Sequence, residues 1–206
     1  MQTPAPHALR LLGCAVVLLV AGCRSSDAGR AASPAAPPAS SLVLPGLDGR
    51  QISVLNQPGV RGFVFLFVRT DCPISNRYAP EMQRLYTKFS GRGIGFYLVY
   101  PESDDTAAMI RAHRQEYRLT IPTVLDYRHV LVRKAGAQVT PEAAVFLPSG
   151  QEIYLGRIDD RVVDFGQEHR LAARHDLEDT VTALLAGSTL TPTTNRAVGC
   201  YISDTR

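Results

Sequence analysis

The chain has 206 residues, of which 45% are apolar and 20% are charged, and its formal net charge is +3. This composition is typical of one globular domain with short appendages and is too apolar for a disordered chain. The charge is small and basic residues are scattered, so the sequence gives no indication of nucleic-acid binding.

The first 41 residues differ in composition from the rest. Residues 1–10 carry one positive charge, residues 11–21 are almost entirely apolar, and residue 22 begins a polar segment. The apolar run is too short to span a membrane and has the length of a signal-peptide core. The sequence "VAGC" resembles a bacterial lipobox, which implies a signal peptide over residues 1–22 and lipid attachment to Cys23. An ordinary secretory signal and a short anchor are the alternatives.

Residues 23–41 are rich in Ala, Pro and Ser and show no periodic apolar pattern. Such a segment buries too little surface to offset the entropy of ordering, which predicts a disordered tether. We therefore expect a lipoprotein of the bacterial cell envelope, anchored in a membrane through Cys23 and facing the periplasm or the exterior. Its folded part should begin near Leu42.

The folded region alternates between strand patterns and helix patterns. Short β-branched and aromatic runs predict strands buried on both faces, whereas apolar residues at spacings of three and four predict amphipathic helices. In chain order we expect a hairpin around residues 46–49, a strand over 62–68, a helix over 75–90, a strand over 93–101, a helix over 103–118 capped by Ser103, a strand over 121–126, a short helix over 127–136, two strands within 142–159 and a helix over 168–187.

This order predicts an α/β fold with a mixed central sheet, flanking helices and a late antiparallel hairpin. The predicted domain spans residues 42–188. Residues 189–206 form a tail that carries Cys200, and its Gly, Thr and Pro content suggests a mobile arm.

Four cysteines are present, and two of them remain as thiols if the N-terminal interpretation is right. Cys14 would be removed with the signal peptide and Cys23 would carry lipid. Cys72 and Cys200 would then lie in an oxidising compartment, where such a pair forms a disulfide or a working redox couple.

Cys72 stands between a buried strand and a helix, in the sequence "RTDCPIS". Unpaired backbone N–H groups and the helix dipole at such a position favour the thiolate, which is the nucleophilic form. Pro73 suits the first helical position. The alternative is a buried cysteine that acts as a small apolar residue. Further along the chain, the Thr140–Pro141 bond is a candidate for a cis peptide.

These residues together resemble the thioredoxin superfamily, in the redoxin branch with AhpC/TSA (peroxiredoxin-like) domains. The matching pieces, in order, are "FVFLFVRTDCPIS", "RYAPEMQRL", "IPTVLD", "VTPEAAVFLPSG" and "YLGRIDDR". The resemblance covers about residues 42–187 and implies a thioredoxin-like fold, with Cys72 as the nucleophile and Pro141 as a cis-proline beside it.

The sequence departs from that pattern at two points. Ser75 occupies the second position of a Cys-x-x-Cys pair, which rules out a dithiol within the motif. Phe65 and Arg69 stand where peroxiredoxins carry a proline and a hydroxyl residue, so the peroxide-activating pocket is in doubt. We expect Ser75 either to donate a hydrogen bond to the Cys72 thiolate or to cap the helix.

The predicted function is that of a thiol-dependent oxidoreductase acting on a protein disulfide or a small peroxide, without a cofactor or a metal. Cys200 is the candidate resolving thiol for Cys72, within one chain or between two. A fixed structural disulfide and an unpaired Cys200 are the alternatives. A different class of function is also open, namely a non-catalytic adaptor that binds a partner in the groove near Thr140 and Pro141.

Overall fold

A six-stranded mixed sheet forms the centre of the molecule in the computed structural model, which describes residues 42–203. The predicted signal peptide, the tether and the lipidation site at Cys23 lie outside the described residues. Within residues 42–203, none of the helices has the length and apolar character needed to cross a membrane.

The secondary-structure elements follow the predicted alternation, with additional short strands after the late hairpin. The strands are β1 (Val43–Pro45), β2 (Gln51–Ser53), β3 (Gly62–Phe67), β4 (Ile94–Tyr100), β5 (Thr123–Leu125), β6 (Val139–Thr140), β7 (Glu142–Phe146), β8 (Glu152–Gly156), β9 (Val162–Asp164), β10 (Gln167–Glu168), β11 (Thr193–Thr194) and β12 (Cys200–Tyr201). The helices are α1 (Pro73–Phe89), α2 (Ala107–Glu116), α3 (Val130–Ala135) and α4 (Asp176–Leu185), and a 3-10 turn (Ser90–Arg92) follows α1.

The central sheet has the strand order β11-β8-β7-β3-β4-β5. The pairs β3–β4 and β4–β5 are parallel, while β7 pairs antiparallel with both β3 and β8. All six residues of β3 are buried, as expected for a continuous apolar strand in the middle of a sheet covered on both faces. The predicted thioredoxin-like fold, with its mixed sheet and antiparallel hairpin, is therefore confirmed.

Two apolar cores cover the two faces of the sheet. Alternate side chains of β3 divide between them, because successive residues of a strand point to opposite faces. Val64 and Leu66 pack with α1, α2 and α4, whereas Phe63, Phe65 and Phe67 pack with α3 and with the segment around β1.

Helix α1 begins two residues earlier than predicted. Pro73 occupies the first helical turn directly after Cys72, which is the N-cap residue. Proline fits there because it lacks an N–H group that would have no partner. The apolar residues Tyr78, Met82 and Leu85 face the core, and Pro80 lies inside the helix.

The predicted start of α2 is wrong. Thr106 rather than Ser103 is the N-cap, and its hydroxyl accepts a hydrogen bond from the Met109 N–H over 3.3 Å. Asp105 precedes the helix because its carboxylate accepts hydrogen bonds from the Thr70 N–H and hydroxyl. This tertiary contact fixes the residues that the sequence pattern assigned to the first turn.

The predicted start of α4 is also wrong. Residues 168–175 are not helical, and Leu171 among them is 79% exposed. The Asp160 carboxylate accepts hydrogen bonds from the N–H groups of Ala173 and Arg174, at 2.8 and 3.0 Å, and so holds this segment as a loop. Helix α4 starts at Asp176, with acidic residues in its first turn that suit the helix dipole.

The tail was expected to be a mobile arm, and instead it is bound to the domain at two places. Strand β11 pairs in parallel with β8, and β12 pairs antiparallel with β6. The sequence pattern missed these strands because two-residue strands have no periodicity to detect.

Candidate active site

Cys72 lies at the N-terminus of α1 with no part of it exposed to solvent. Strand β3 and the loop of residues 68–71 lead the chain to this point, and the first turn of α1 leads it away. The Cys72 thiol donates a hydrogen bond to the Thr140 carbonyl oxygen, with a sulfur-to-oxygen distance of 3.0 Å. The thiol is therefore in direct contact with the segment that precedes Pro141.

The Thr140–Pro141 peptide bond is cis. Thr140 ends β6, and in the antiparallel pair of β6 with β12 it lies opposite Cys200. The Thr140 hydroxyl donates a hydrogen bond to the Cys200 carbonyl oxygen over 3.4 Å. The fold thus brings together the predicted site residues Cys72, Thr140, Pro141 and Cys200.

Both cysteines are free thiols, and they interact with one another. Burial raises the pKa of Cys72, but the interactions of its sulfur with the Cys200 thiol and with Ser75 outweigh burial and bring the pKa below its ordinary value. The Thr140 carbonyl opposes this effect, because it accepts a hydrogen bond only from the protonated thiol. The net result favours the Cys72 thiolate.

Cys200 shows the opposite behaviour. Burial, the hydrogen bond to Cys72 and the negative charge of Cys72 together raise the pKa of Cys200 to about 12. The pKa of Cys72 is therefore lowered while that of Cys200 is raised, so Cys72 is the first of the two thiols to lose its proton. Such a division suits a nucleophile and a second thiol that acts later.

Ser75 is fully buried in the first turn of α1, and the cap position belongs to Cys72, so the predicted capping role is wrong. The Ser75 hydroxyl has no hydrogen-bond partner within ordinary distance in the described part of the chain. Even so, its N–H and hydroxyl lie close enough to the Cys72 sulfur to lower the pKa of that thiol. Each of these two Ser75 groups has a smaller effect on the pKa than the Cys200 thiol has.

The charged residues around the loop pair with one another. Arg69 forms ion pairs with Asp71 at 2.6 Å and with Asp104 at 3.0 Å. The Thr70 hydroxyl donates its hydrogen bond to Asp105. The Thr70 hydroxyl and the Arg69 guanidinium are thus both engaged by carboxylates.

A buried polar chain that sequence reasoning missed holds the loop before Cys72. The Asn76 side-chain amide donates to the Thr70 carbonyl oxygen over 3.2 Å, and its oxygen lies 2.8 Å from His113 Nε2. His113 Nδ1 lies 2.8 Å from the Tyr100 hydroxyl, and burial lowers the pKa of His113. A neutral His113 with its proton on Nε2 donates to the Asn76 oxygen and accepts from the Tyr100 hydroxyl, so every polar group of this chain has a partner. No sequence spacing signals this contact between α1, β4 and α2.

One cluster within residues 42–203 has the composition of a metal site. Ligand atoms of Glu81, Asp159 and His175 lie within 4.8 Å of one another. However, Asp159 accepts hydrogen bonds from the Tyr78 hydroxyl and from Arg161, and Glu81 forms an ion pair with Arg84. Two guanidinium groups at the cluster already balance its carboxylates, so structural ion pairs explain it.

Solved structures with the same fold support this description of the domain. A hypothetical protein from Sinorhizobium meliloti 1021 is similar at a TM-score of 0.68 and 20% identity, covering 80% of this chain and 91% of that one. An uncharacterized conserved protein from Geobacillus kaustophilus is similar at a TM-score of 0.66 and 19% identity, covering 80% of this chain and 88% of that one. The thioredoxin domain of a thiol-disulfide oxidoreductase from Bacteroides vulgatus is similar at a TM-score of 0.52 and 16% identity, covering 73% of this chain and 96% of that one.

Comparison with family models gives a match over residues 36–153, which is more than half of the chain. No curated protein matches the chain. The matched region includes the buried strand before Cys72, helix α1 and the cis-proline, and it ends before the tail with Cys200. The chain belongs to the AhpC/TSA family.

Proposed function

We propose that the protein is a two-thiol oxidoreductase in which Cys72 is the nucleophile and Cys200 of the same chain is the resolving thiol. The observation that carries the proposal is that Cys72 and Cys200 both meet Thr140, whose carbonyl oxygen lies 3.0 Å from the Cys72 sulfur and which lies opposite Cys200 in the β6–β12 pair. The lowered pKa of Cys72 and the raised pKa of Cys200 suit the assigned roles. The AhpC/TSA family and the thioredoxin-like fold support oxidoreductase chemistry as the general class.

In the first step the Cys72 thiolate attacks the oxidant. With a peroxide, the O–O bond breaks, the distal oxygen joins Cys72 as a sulfenic acid, and an alkoxide or hydroxide leaves. With a disulfide, a new S–S bond joins Cys72 to one sulfur, and the other leaves as a thiolate. The Ser75 hydroxyl, which lacks a partner beside the sulfur, is available to donate to the oxygen or sulfur bound there.

In the second step Cys200 attacks the oxidised Cys72. The negative charge of Cys72, which contributes to the raised pKa of Cys200, disappears once Cys72 is oxidised. Cys200 therefore loses its proton more easily at the step in which it acts. Its sulfur joins that of Cys72, and hydroxide or the partner's thiolate leaves. An external thiol reductant returns the pair to the reduced state.

Oxidation of the full chain followed by peptide mapping without reduction tests this proposal. One equivalent of peroxide or of a small disulfide should yield a Cys72–Cys200 linkage within monomers. Cys200→Ser should instead accumulate a Cys72 sulfenic acid or mixed disulfide, and Cys72→Ser should form neither product. Parallel turnover assays with the two oxidants distinguish a peroxidase from a disulfide exchanger.

The complete burial of Cys72 is the observation that favours the second candidate, a non-catalytic adaptor that binds a partner beside Pro141. The same mapping experiment separates the two functions. If Cys72 of the folded protein stays unmodified by both oxidants and reacts only after denaturation, the redox proposal is overturned and the adaptor is favoured.

The N-terminal sequence extends the proposal to the place of action. A lipid on Cys23 and a tether over residues 23–41 would hold the domain near a membrane of the cell envelope, where disulfides persist. Cys23→Ala should shift the protein from the membrane fraction to the soluble fraction, and an unchanged distribution would contradict the anchor.

A further inference from the structure

The tail covers a strand edge directly beside Cys72. Strand β6 has β12 as its one sheet partner in the described part of the chain, and Cys200 lies opposite Thr140. Beyond β12, the Ile202 N–H donates to the Gln138 carbonyl oxygen over 2.9 Å. The tail is thus an extended segment whose cysteine is presented to the Cys72 thiol by backbone pairing.

Each residue of this segment meets a different steric environment. A Cβ on Gly199 would lie 2.6 Å from the Thr140 carbonyl carbon and closer still to its oxygen, so a side chain is excluded at that position. Tyr201 is 78% exposed and is therefore unconstrained, whereas Ile202 is 4% exposed and packs in the core beside α3. Around the cysteine, the edge accordingly requires glycine at the preceding position, accepts any residue at the next position, and favours an aliphatic residue at the one after that.

The backbone beyond the aliphatic residue is also bound. The Ser203 N–H donates to Glu102 Oε1 over 2.8 Å, and the Glu102 side chain is itself buried. This contact uses a main-chain group, so it is open to any polypeptide that continues past the aliphatic position, and it is closed to a small-molecule thiol.

We propose that Gly199–Ile202 is an internal copy of the segment that this site takes from a polypeptide partner. The partner's chemistry is an extended strand with a glycine before its cysteine and an aliphatic residue two positions after it. The proposal rests on the function proposed above and adds the class of disulfide substrate or reductant that the site takes.

Displacement of the tail is required for such a partner to bind. Cys72 is fully covered while the tail is bound, and both the tail and a partner strand need the same edge of β6. Pairing of β11 with β8 and the Asn195 contact with Asp176 at 3.0 Å hold the chain upstream of Arg196. Residues 196–203 can therefore leave the edge while the tail stays attached, and they compete with the partner.

A thiol–disulfide exchange assay in the full chain tests the proposal. The probe is a capped peptide of residues 196–203 whose cysteine carries thionitrobenzoate as a mixed disulfide. The Cys72 thiolate attacks the peptide sulfur, an S–S bond forms between Cys72 and the peptide, and coloured thionitrobenzoate leaves. The Cys200→Ser variant of the full chain keeps its tail bound. The double variant Cys200→Ser/Gly199→Ala releases the tail and is called the released-tail chain. The matched control is the double variant Cys200→Ser/Gly91→Ala, because nothing lies within 4 Å of a Cβ at Gly91.

The released-tail chain should react with the native peptide at least about tenfold faster than the Cys200→Ser chain, and the Gly91→Ala control should match the latter. On the released-tail chain, peptides with Gly199→Ala or Ile202→Asp should react at least about tenfold more slowly than the native peptide. A Tyr201→Asp peptide introduces the same charge as the Ile202→Asp peptide, and its rate should stay within about twofold of that of the native peptide. Ile202→Asp in the chain is a second way to release the tail if Gly199→Ala impairs folding.

Equal rates for all four peptides on the released-tail chain would overturn the inferred substrate class. Failure of the proposed oxidoreductase function would give a different and distinguishable result. If the released-tail chain reacts neither with the native peptide nor with the small disulfide dithiobis-nitrobenzoate, Cys72 is not a working nucleophile and the proposed function fails.

Discussion

The two halves of the candidate site are held in different ways. Cys72 sits on α1, whose side chains Tyr78, Met82 and Leu85 are buried in one core. Cys200 sits on a two-residue strand, and of the two residues that follow it only Ile202 is buried. Secondary structure and apolar burial fix the nucleophile, whereas a few hydrogen bonds and the aliphatic side chains of Val198 and Ile202 hold its partner.

This difference suits the proposed chemistry. A resolving thiol must approach the nucleophile and then make way for another molecule, and segments with few buried contacts open at low free-energy cost. A nucleophile must keep its geometry through the cycle. The three predictions below address this contrast, starting with the largest expected effect.

Amide hydrogen exchange should separate the two regions directly. Amides of the buried strand β3 should exchange only through global unfolding, while the Ile202 amide, which donates to Gln138, should exchange through local release of the tail. We expect at least about a hundredfold lower protection at Ile202, measured by mass spectrometry or NMR on the reduced protein. Equal protection in the two regions would show that the tail is a full part of the cooperative core.

Asn76→Ala should weaken the nucleophile's side of the site. The change leaves the Thr70 carbonyl and buried His113 without their partner, so the free energy of unfolding should fall by about 1–3 kcal/mol in urea denaturation. Thr87→Ala is the control on the same helix, because the exposed Thr87 hydroxyl bonds only within α1, and its effect should stay within about 0.5 kcal/mol. Similar losses for the two variants would argue against a supporting role for the buried polar chain.

Cys200→Ala should raise the pKa of Cys72. The Cys200 thiol donates to the Cys72 sulfur and so stabilises the thiolate, and alanine removes that donor. Thiolate absorbance in the ultraviolet, taken as the difference from Cys72→Ser, should therefore appear at higher pH in Cys200→Ala than in the native chain. Cys200→Ser keeps a donor and should titrate closer to the native protein. A lower pKa in Cys200→Ala would mean that burial by the tail dominates over the hydrogen bond.

Local patterns were enough to predict the scaffold. The apolar run before Cys72, the helical spacing after it and the late pair of strands gave the mixed sheet, because buried strands and amphipathic helices carry their own periodicity. Among the misplaced helix starts, those of α2 and α4 have a tertiary cause. In each case a carboxylate, Asp105 or Asp160, accepts hydrogen bonds from groups elsewhere in the chain, which local propensity cannot take into account.

The sequence by itself determined that Cys72 stands between a buried strand and a helix, that Pro73 suits a first helical turn and that Ser75 excludes a local dithiol. The tertiary structure decided which residues contact the Cys72 sulfur. Cys200, far along the chain, reaches the sulfur because β12 pairs with β6, and Gly199 permits the close approach to Thr140. Such contacts depend on backbone pairing and steric fit between distant segments, which leave no period in the sequence, and they make a single cysteine part of a thiol pair.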